Sequence, residues 1–185
     1  GSFHRGFLMH TRGEIDRDDT LWVSGCSGMF RKSLWEKLGG IDELYSPFYW
    51  EDIDLSYRAL KAGYKLVFEP KSIVEHRHSE GAIKKSFTKS AINQTAYRNQ
   101  FFFVWKNITS GRFILQHVLW LPYHVLSAIF RGDRAFLKGL LYAVIKFPLV
   151  YKNRVQLKSL WTKNDEEIFL KTIIPIRKFT KKYLK

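Results

Sequence analysis

The second half of the chain combines long apolar stretches with regularly spaced polar side chains. From Gln116 onward the polar positions recur at helical intervals, and they are His117, His124, Ser127, Arg131, Arg134 and Lys138. Such spacing places side chains along one face of a helix. The positions opposite them are apolar, namely Leu119, Trp120, Leu126, Ile129 and Phe130. The pattern therefore predicts amphipathic helices, with a second stretch of the same kind over Ala135–Tyr151.

The apolar run Phe113–Phe130 is about as long as a membrane-spanning helix. Polar or helix-disturbing residues interrupt this run at Gln116, His117, Pro122 and His124. We therefore predict a helix that lies in the membrane interface rather than one that crosses the bilayer. The alternative interpretation is a packed helical subdomain whose lysines extend along its surface.

The charges are divided unequally along the chain. Gly1–Lys84 holds 12 Lys and Arg against 13 Asp and Glu, a net charge of −1, whereas the remainder holds 19 against 4, a net charge of +15. This asymmetry predicts two regions with different roles. Residues 1–84 would carry the chemistry, and residues 85–185, which end in the basic tail Lys178–Lys185, would form basic amphipathic helices that contact an anionic membrane surface.

Composition excludes several classes of protein. Hydrophobic residues make up 45% of the chain and aromatic residues 16%, which excludes a disordered or low-complexity chain. Cys26 is the single cysteine, so no intrachain disulfide can form and a reducing, cytoplasmic setting is favoured. A pI near 9.9 permits nucleic-acid binding. Because the basic half is strongly apolar and holds no recognisable nucleic-acid-binding module, we predict no nucleic-acid partner.

The front region predicts a mixture of short strands and helices. The helix predicted over Glu51–Ala62 has apolar residues at helical spacing and Gly63 at its end. The other predicted elements are a loop over Ser2–Thr20, a bent strand over Leu21–Phe30, a helix over Arg31–Leu38 ended by Gly39, and two β segments over Tyr64–Glu69 and Ser72–His76.

Three carboxylates crowd the first turn of the predicted helix that begins at Glu51. They are Glu51, Asp52 and Asp54. Acidic side chains near a helix N-terminus are stabilised by the helix dipole and by free backbone N–H groups, so ordinary capping explains them. The same donors keep a carboxylate ionised, and an ionised carboxylate can accept a proton. Capping and general-base catalysis therefore both fit these residues.

The order of motifs from Trp22 to His76 resembles the acceptor-side half of bacterial family 2 glycosyltransferases, especially rhamnosyltransferase-like members. The matching pieces are Gly25–Lys32, Gly39–Glu43, Glu51–Leu55, Ala62–Tyr64 and His76, followed more loosely by Tyr97, Arg98, Asn99, Lys106 and Asn107. The resemblance implies an α/β fold, the C-terminal part of a GT-A (nucleotide-diphospho-sugar transferase) domain. Amphipathic, membrane-associating helices would follow it.

The resemblance also implies roles for individual residues. Asp52, beside Glu51, would be the general base that deprotonates the acceptor hydroxyl, and the transfer would invert the anomeric configuration. A divalent cation, Mg²⁺ or Mn²⁺, would stabilise the charge of the departing nucleotide diphosphate. His76 matches the metal-ligating histidine of the family, and His78, two residues further along an extended strand, is the alternative ligand.

The segment that lines the acceptor pocket in the relatives corresponds to Trp22, Ser24, Gly25 and Cys26. Packing alone also explains Trp22. Trp50, just before the acids, is suited to stacking on a sugar ring, although a core role fits it equally well. Cys26 has no evident base beside it, so we do not expect it to act as a nucleophile.

The donor-binding motif of the family, an Asp-x-Asp after a buried strand, is expected to lie outside this sequence. Asp16 and Asp18 match the Asp-x-Asp pattern, but a polar stretch and not a buried strand precedes them. We therefore predict that they lie in a solvated loop. We therefore expect a fragment of a transferase that uses a nucleotide-sugar donor and a glycan or lipid-linked acceptor, peripheral on the cytoplasmic face of the cell membrane. The alternative is a non-catalytic fragment that binds glycan or membrane.

Overall fold

The computed structural model describes residues 1–10, 19–75 and 82–172, and within them the chain is mostly helical with one two-stranded sheet. The strands are β1 (Ser2–His4) and β2 (Phe7–Met9). The helices are α1 (Lys32–Leu38), α2 (Glu51–Lys61), α3 (Ala82–Ser86), α4 (Lys89–Asn107), α5 (Gly111–Arg131), α6 (Arg134–Ile145), α7 (Phe147–Leu157) and α8 (Asp165–Thr172). Short 3₁₀ turns lie at Glu43–Tyr45 and Lys158–Leu160.

The N-terminal residues form a hairpin, so the loop predicted over Ser2–Thr20 is wrong at its beginning. β1 and β2 pair antiparallel, with Phe3 opposite Leu8. Arg5 and Gly6 between them both have left-handed backbone, with φ of 48° and 83°, which is the conformation that a tight two-residue hairpin turn requires. Residues 11–18, the rest of the predicted loop, lie outside the described residues.

The strand predicted over Leu21–Phe30 is absent, because its backbone pairs with side chains of α2 instead of with another strand. Val23 N–H donates to Ser56 Oγ at 2.9 Å, and Gly25 N–H donates to Asp52 Oδ2 at 3.2 Å. The β segment predicted over Tyr64–Glu69 contains only an isolated bridge, from Val67 to Asp19. No strand is formed over residues 72–75. A sheet needs a neighbouring strand to satisfy its backbone groups, and the described residues supply none here.

The two helices predicted in the front region are confirmed. α1 ends at Gly39, whose φ of 79° is left-handed. α2 begins at Glu51 as predicted and ends at Lys61, one residue before the predicted end, with Gly63 following at a φ of 88°. The predicted α/β character of residues 1–84 is limited, within the described part of the chain, to the hairpin and these helices.

The main core is built around α4. Phe101, Phe102 and Phe103 are almost completely buried, and their neighbours come from both predicted regions of the chain. Phe7 of β2 packs edge-on against Phe101 at 5.2 Å between ring centroids, and Trp50 packs against Phe103 at 5.3 Å. Burial of aromatic rings supplies much of the hydrophobic free energy of a core, so α4 holds the hairpin and the start of α2 in place.

The helix predicted from the polar stripe is present as α5, but the stripe is divided between two helices because α5 ends at the left-handed Gly132. The polar side of α5 packs inward. His117 Nδ1 lies 2.6 Å from the carbonyl of Gly6, and Trp105 Nε1–H donates to His117 Nε2 at 3.0 Å. The apolar side faces outward, with Phe130 86% exposed.

α5 is the one helix in the described part of the chain that is long and apolar enough to cross a membrane. Only 11% of its most apolar 18-residue window is buried. By length and composition alone, core helices and signal sequences meet the same criterion. The low burial distinguishes α5 from an ordinary core helix.

A buried ion pair fastens α8 to α2. Lys61 Nζ lies 2.8 Å from Asp165 Oδ1, and Tyr57 donates its hydroxyl to the same oxygen at 2.7 Å. Asp165 Oδ2 accepts the backbone N–H groups of Thr109 and Ser110, each at 2.6 Å. Burial raises the pKa of Asp165, but Lys61 and these hydrogen bonds outweigh it, and the pKa lies below its ordinary value. Asp165 thus joins α2, α8 and the junction between α4 and α5.

Candidate functional site

The first turn of α2 places Asp54 in the protein interior. Its Oδ1 accepts hydrogen bonds from Tyr45 Oη at 2.8 Å and Asn107 Nδ2 at 2.7 Å, and its Oδ2 accepts from Arg58 Nε at 2.7 Å and Lys106 Nζ at 2.9 Å. Burial raises the pKa of Asp54, but Lys106 and Arg58 outweigh it and lower the pKa to about 2. Asp54 is therefore ionised at neutral pH, and its partners engage both of its oxygens.

Asp52 instead faces an open cleft of about 340 Å³. The cleft is lined by His10, Trp22, Tyr49, Trp50, Glu51, Asp52, Ile53 and Ala96. Asp52 Oδ2 accepts the N–H of Gly25 at 3.2 Å, and Oδ1 accepts the N–H of Ile53 at 2.8 Å. Each carboxylate oxygen has two lone pairs, so Asp52 keeps capacity to accept a further proton or hydrogen bond from a molecule in the cleft.

Glu51 contributes a second carboxyl group to the same cleft. Its Oε2 is buried and has no hydrogen-bond partner among the residues that the structure describes. Burial raises the pKa of Glu51, and the nearby charge of Asp52 adds to this. Glu51 therefore holds a proton to a higher pH than an ordinary glutamate does.

A strained turn sets the direction of Glu51 and Asp52. Tyr49 and Trp50, just before α2, have left-handed φ values of 69° and 77°. This conformation costs a residue with a side chain about 1–3 kcal/mol, so surrounding contacts must impose it. The amide Nδ2 of Asn99 supplies three such contacts, to the carbonyls of Tyr45 at 2.8 Å, Phe48 at 2.9 Å and Tyr49 at 2.8 Å.

His10 is a cleft residue that sequence reasoning missed, because the segment around it was predicted to be loop. Its ring packs edge-on against Trp22 at 5.0 Å and against Trp50 at 5.5 Å. Burial lowers the pKa of His10, although the charge of Asp52 acts in the opposite direction. A neutral imidazole beside two indoles forms an aromatic wall next to the carboxyl groups. No local sequence signal identified this role.

The residues predicted to bind the acceptor fall into two groups. Trp22 and Trp50 line the cleft, and Gly25, which does not line it, donates its N–H to Asp52. Ser24 and Cys26 are not among the lining residues, and their Oγ and Sγ atoms lie 3.1 Å apart in a hydrogen bond to each other. Trp50 is also a core residue, 8% exposed, and its stacking on a sugar ring stays a prediction.

The residues of the looser resemblance on α4 support the site rather than line it. Asn99 holds the strained turn, and Arg98 donates to the carbonyl of Ser46 in the same loop. Lys106 and Asn107 both bind Asp54. The sequence indicated these positions only through the resemblance, since polar residues in a helix give no sign of distant partners.

The proposed metal ligands His76 and His78 lie outside the described residues, as do Asp16 and Asp18. Within residues 1–10, 19–75 and 82–172, no three His, Cys, Asp or Glu side chains come together in a way that could hold a metal ion. The described part of the cleft therefore offers carboxyl and aromatic groups and no metal centre.

The chain is partly similar to a known enzyme, the N-acetylglucosaminyl-diphospho-decaprenol L-rhamnosyltransferase of Mycobacterium tuberculosis. It is 42% identical over 62 residues to this protein in the strains CDC 1551 / Oshkosh and ATCC 25618 / H37Rv. The matched segment covers 32% of this chain and 20% of the relative, so the chain spans only about a fifth of the relative's length. No family model matches the chain, and no solved structure matches it. What the chain shares with known proteins is a partial similarity to a glycosyltransferase.

Proposed function

We propose that this chain is the acceptor-side part of an inverting glycosyltransferase of family 2, with Asp52 as general base. The observation that carries the proposal is the position of Asp52 at an open, aromatic-walled cleft, while Asp54 on the same turn is buried and fully paired. The partial similarity to a rhamnosyltransferase supports the same activity. The nucleotide-sugar site of a GT-A-type domain would be supplied by a part of the protein that this sequence does not contain.

In the proposed reaction, an acceptor hydroxyl enters the cleft and hydrogen-bonds to Asp52. The carboxylate takes the proton as the hydroxyl oxygen forms a bond to the anomeric carbon of the donor sugar. The bond from that carbon to the nucleotide diphosphate breaks on the opposite face, so the configuration inverts. Apolar faces of sugar rings pack well on indole rings, and Trp22 and Trp50 would hold the acceptor in this orientation.

Glu51 is proposed to position the acceptor. Burial raises the pKa of Glu51, so its carboxyl group keeps a proton to a higher pH than an ordinary glutamate and can then donate a hydrogen bond. A carboxyl group with a raised pKa is also suited to act as a base near neutral pH. The second candidate is therefore a reaction in which Glu51 and not Asp52 takes the proton.

The proposal also includes a divalent cation and binding of the enzyme to a membrane. Mg²⁺ or Mn²⁺ would be held with the help of His76, or of His78, and no step described above depends on it. The outward apolar residues of α5 and the basic charge of the second half would hold the enzyme on an anionic membrane, at the cytoplasmic face. The relative's name includes a diphospho-decaprenol acceptor, so a lipid-linked acceptor is proposed here as well.

The test is transfer by the full-length protein carrying Asp52→Asn. Asparagine keeps the shape and the contact with Gly25 but cannot take the proton, so transfer should fall by about 10²–10⁴-fold. Donor binding should be unchanged. Glu36→Gln is the matched control, because Glu36 is an exposed carboxylate on α1.

Transfer at the wild-type rate by Asp52→Asn would rule out Asp52 as the base. If Glu51→Gln instead lost transfer to the extent expected for Asp52→Asn, the base would be Glu51.

A further inference from the structure

A second cavity, of about 410 Å³, lies between the hairpin, α4, α5 and α6. Its lining includes Met9 and Tyr97, and the Asp52 cleft is lined by His10 and Ala96, the residues directly next to them in the chain. Neighbouring residues have Cα atoms about 3.8 Å apart. Neighbouring residues of the hairpin and of α4 therefore border the two cavities.

The polar groups of this second cavity favour an anion. The basic residues Arg5 and Arg131 and the histidines His4 and His124 are among its lining residues. Asp133 is the carboxylate among the lining residues. Guanidinium groups bind phosphate oxygens in a planar, two-pronged geometry, which makes them the usual partners of phosphate and diphosphate groups.

The carboxylate of Asp133 does not cancel this preference, because both of its oxygens already have partners. Oδ2 accepts the hydroxyl of Tyr97 at 3.0 Å, and Oδ1 accepts the N–H of Phe136 at 3.1 Å as the N-cap of α6. The backbone of Arg5 is also held, since His124 Nε2 lies 2.8 Å from its carbonyl. This contact holds Arg5 through its backbone carbonyl and not through its guanidinium group.

The surface beside the cavity is apolar. Ser127, Ala128 and Arg131 of α5 line the cavity. Their neighbours Leu126, Ile129 and Phe130 are 54%, 55% and 86% exposed. An exposed apolar surface beside a cationic pocket suits a ligand that has an anionic head and a hydrocarbon tail.

We propose that this cavity binds the phosphate or diphosphate head of a membrane lipid, with the lipid's hydrocarbon chain along the outward face of α5. A sugar attached to that head would then enter the neighbouring cleft and reach Asp52. The sugar's role rests on the proposed function, whereas lipid binding does not. A free diphosphate has the same head chemistry, and the apolar face of α5 selects the lipid over it.

The test measures binding of the chain to phosphatidylcholine vesicles that contain an isoprenyl diphosphate. Vesicles containing phosphatidylglycerol at equal surface charge provide the comparison. The wild-type chain should bind the diphosphate vesicles about tenfold more tightly, and should bind inorganic diphosphate alone far more weakly. The double variant Arg5→Gln with Arg131→Gln should lose this tenfold preference, which corresponds to about 1.4 kcal/mol, and keep its binding to phosphatidylglycerol vesicles.

The matched control is Lys138→Gln with Lys152→Gln, which removes two exposed charges that do not line the cavity. This control should keep the preference. The proposal is overturned if the wild-type chain shows no preference, if the arginine variant keeps it, if the control loses it equally, or if inorganic diphosphate binds as tightly as the lipid. Both variants change exposed side chains, and an unchanged melting temperature confirms that they fold.

The experiments distinguish failure of the lipid-binding proposal from failure of the proposed transferase function. Asp52→Asn should leave the lipid preference intact, because Asp52 does not line this cavity. If the wild-type protein transfers sugar but shows no preference for the diphosphate vesicles, the lipid site alone is wrong.

Discussion

Asp52 and Asp54 lie two residues apart on the first turn of α2, and their carboxylates enter opposite environments. An α-helix advances about 100° per residue, so the two side chains point about 200° apart. Asp52 faces the cleft, and Asp54 is fully buried among Tyr45, Arg58 and Lys106. The acidic cluster left capping and catalysis open: Asp54 is bound by side chains, whereas Asp52 accepts the backbone N–H of Ile53 in the first turn and also faces the cleft. The buried carboxylate is structural, and the cleft carboxylate is the candidate base.

The first prediction concerns stability. Asp54→Asn should lower the free energy of unfolding by about 3–5 kcal/mol, because it leaves the buried cations Arg58 and Lys106 without their shared carboxylate. Asp52→Asn should change it by less than about 1 kcal/mol, since the side chain is partly exposed. Urea unfolding of both variants at neutral pH measures the difference. Equal losses in the two variants would contradict the division of roles.

The second prediction concerns the stability of the fold at low pH. The pKa of Asp54 is about 2 in the folded protein, against an ordinary value of 3.8. The unfolded chain therefore binds more protons than the folded chain between these values. Stability from Asp54 is fully present above about pH 4 and is lost as the pH falls toward 2, by about 2 kcal/mol. The pKa of Asp165 is lowered in the same direction.

The measurement is urea unfolding as a function of pH. Asp54→Asn should show a weaker loss of stability on acidification than the wild-type chain does. Glu51 acts in the opposite sense, because its pKa is raised and its ionisation disfavours the folded state as the pH rises. A profile in which Asp54→Asn matches the wild-type slope would show that another group is responsible.

The third prediction concerns Asn99 as a positioning residue. Asn99→Ala removes the donors that hold the carbonyls of Tyr45, Phe48 and Tyr49, so the left-handed turn before α2 can relax. Transfer by the full-length protein should fall by about tenfold or more, because a small displacement of a reacting group is costly. Asn93→Ala, an exposed residue on the same helix, is the control.

A purely structural role for Asn99 would give a different result. Asn99→Ala would then unfold at lower urea concentration but keep the wild-type kcat under conditions where it is folded. The ratio of kcat to folded fraction distinguishes the two outcomes.

Local signals were enough to predict the two helices of the front region. Gly39 and Gly63 end α1 and α2 because glycine adopts left-handed backbone at little cost, and the acids at Glu51 mark a helix start. The prediction of a strand over Leu21–Phe30 was wrong because a strand forms only where a neighbouring strand pairs with its backbone. In this chain the backbone of Val23 finds Ser56 instead, a contact 33 residues away that no local pattern specifies.

Burial of the polar face of α5 could not be predicted for the same reason. The periodicity gave a correct helix, but the direction in which it faces depends on the hairpin and on Trp105. The hairpin itself was missed, although Gly6 lies at its turn, because Arg5 adopts an unusual left-handed conformation beside it. His10 enters the cleft only as a result of that hairpin.

The fourth prediction concerns the ion pair between Lys61 and Asp165. Asp165→Asn should lower the free energy of unfolding by about 3–5 kcal/mol, because it leaves the buried ammonium of Lys61 without its anion. Amide exchange at Thr109 and Ser110 should increase, since Asp165 accepts both of these N–H groups. Glu167→Gln, an exposed acid on the same helix, should change neither quantity.

A second substitution separates loss of the pair from a local defect. Lys61→Met combined with Asp165→Asn removes both charges, and it should be more stable than Asp165→Asn alone. If the double variant is the less stable of the two, the charge of Lys61 is not the source of the loss.

The partnership of Lys61 and Asp165 also has a consequence for synthesis of the chain. Asp165 follows Lys61 by 104 residues, so it leaves the ribosome last of the groups that surround the ammonium. Until then the end of α2 must remain hydrated, because an unpaired charge is costly to bury. Closure of this part of the molecule is therefore a late, long-range step of folding, and the nascent chain exposes that end of α2 to chaperones and proteases until the step is complete.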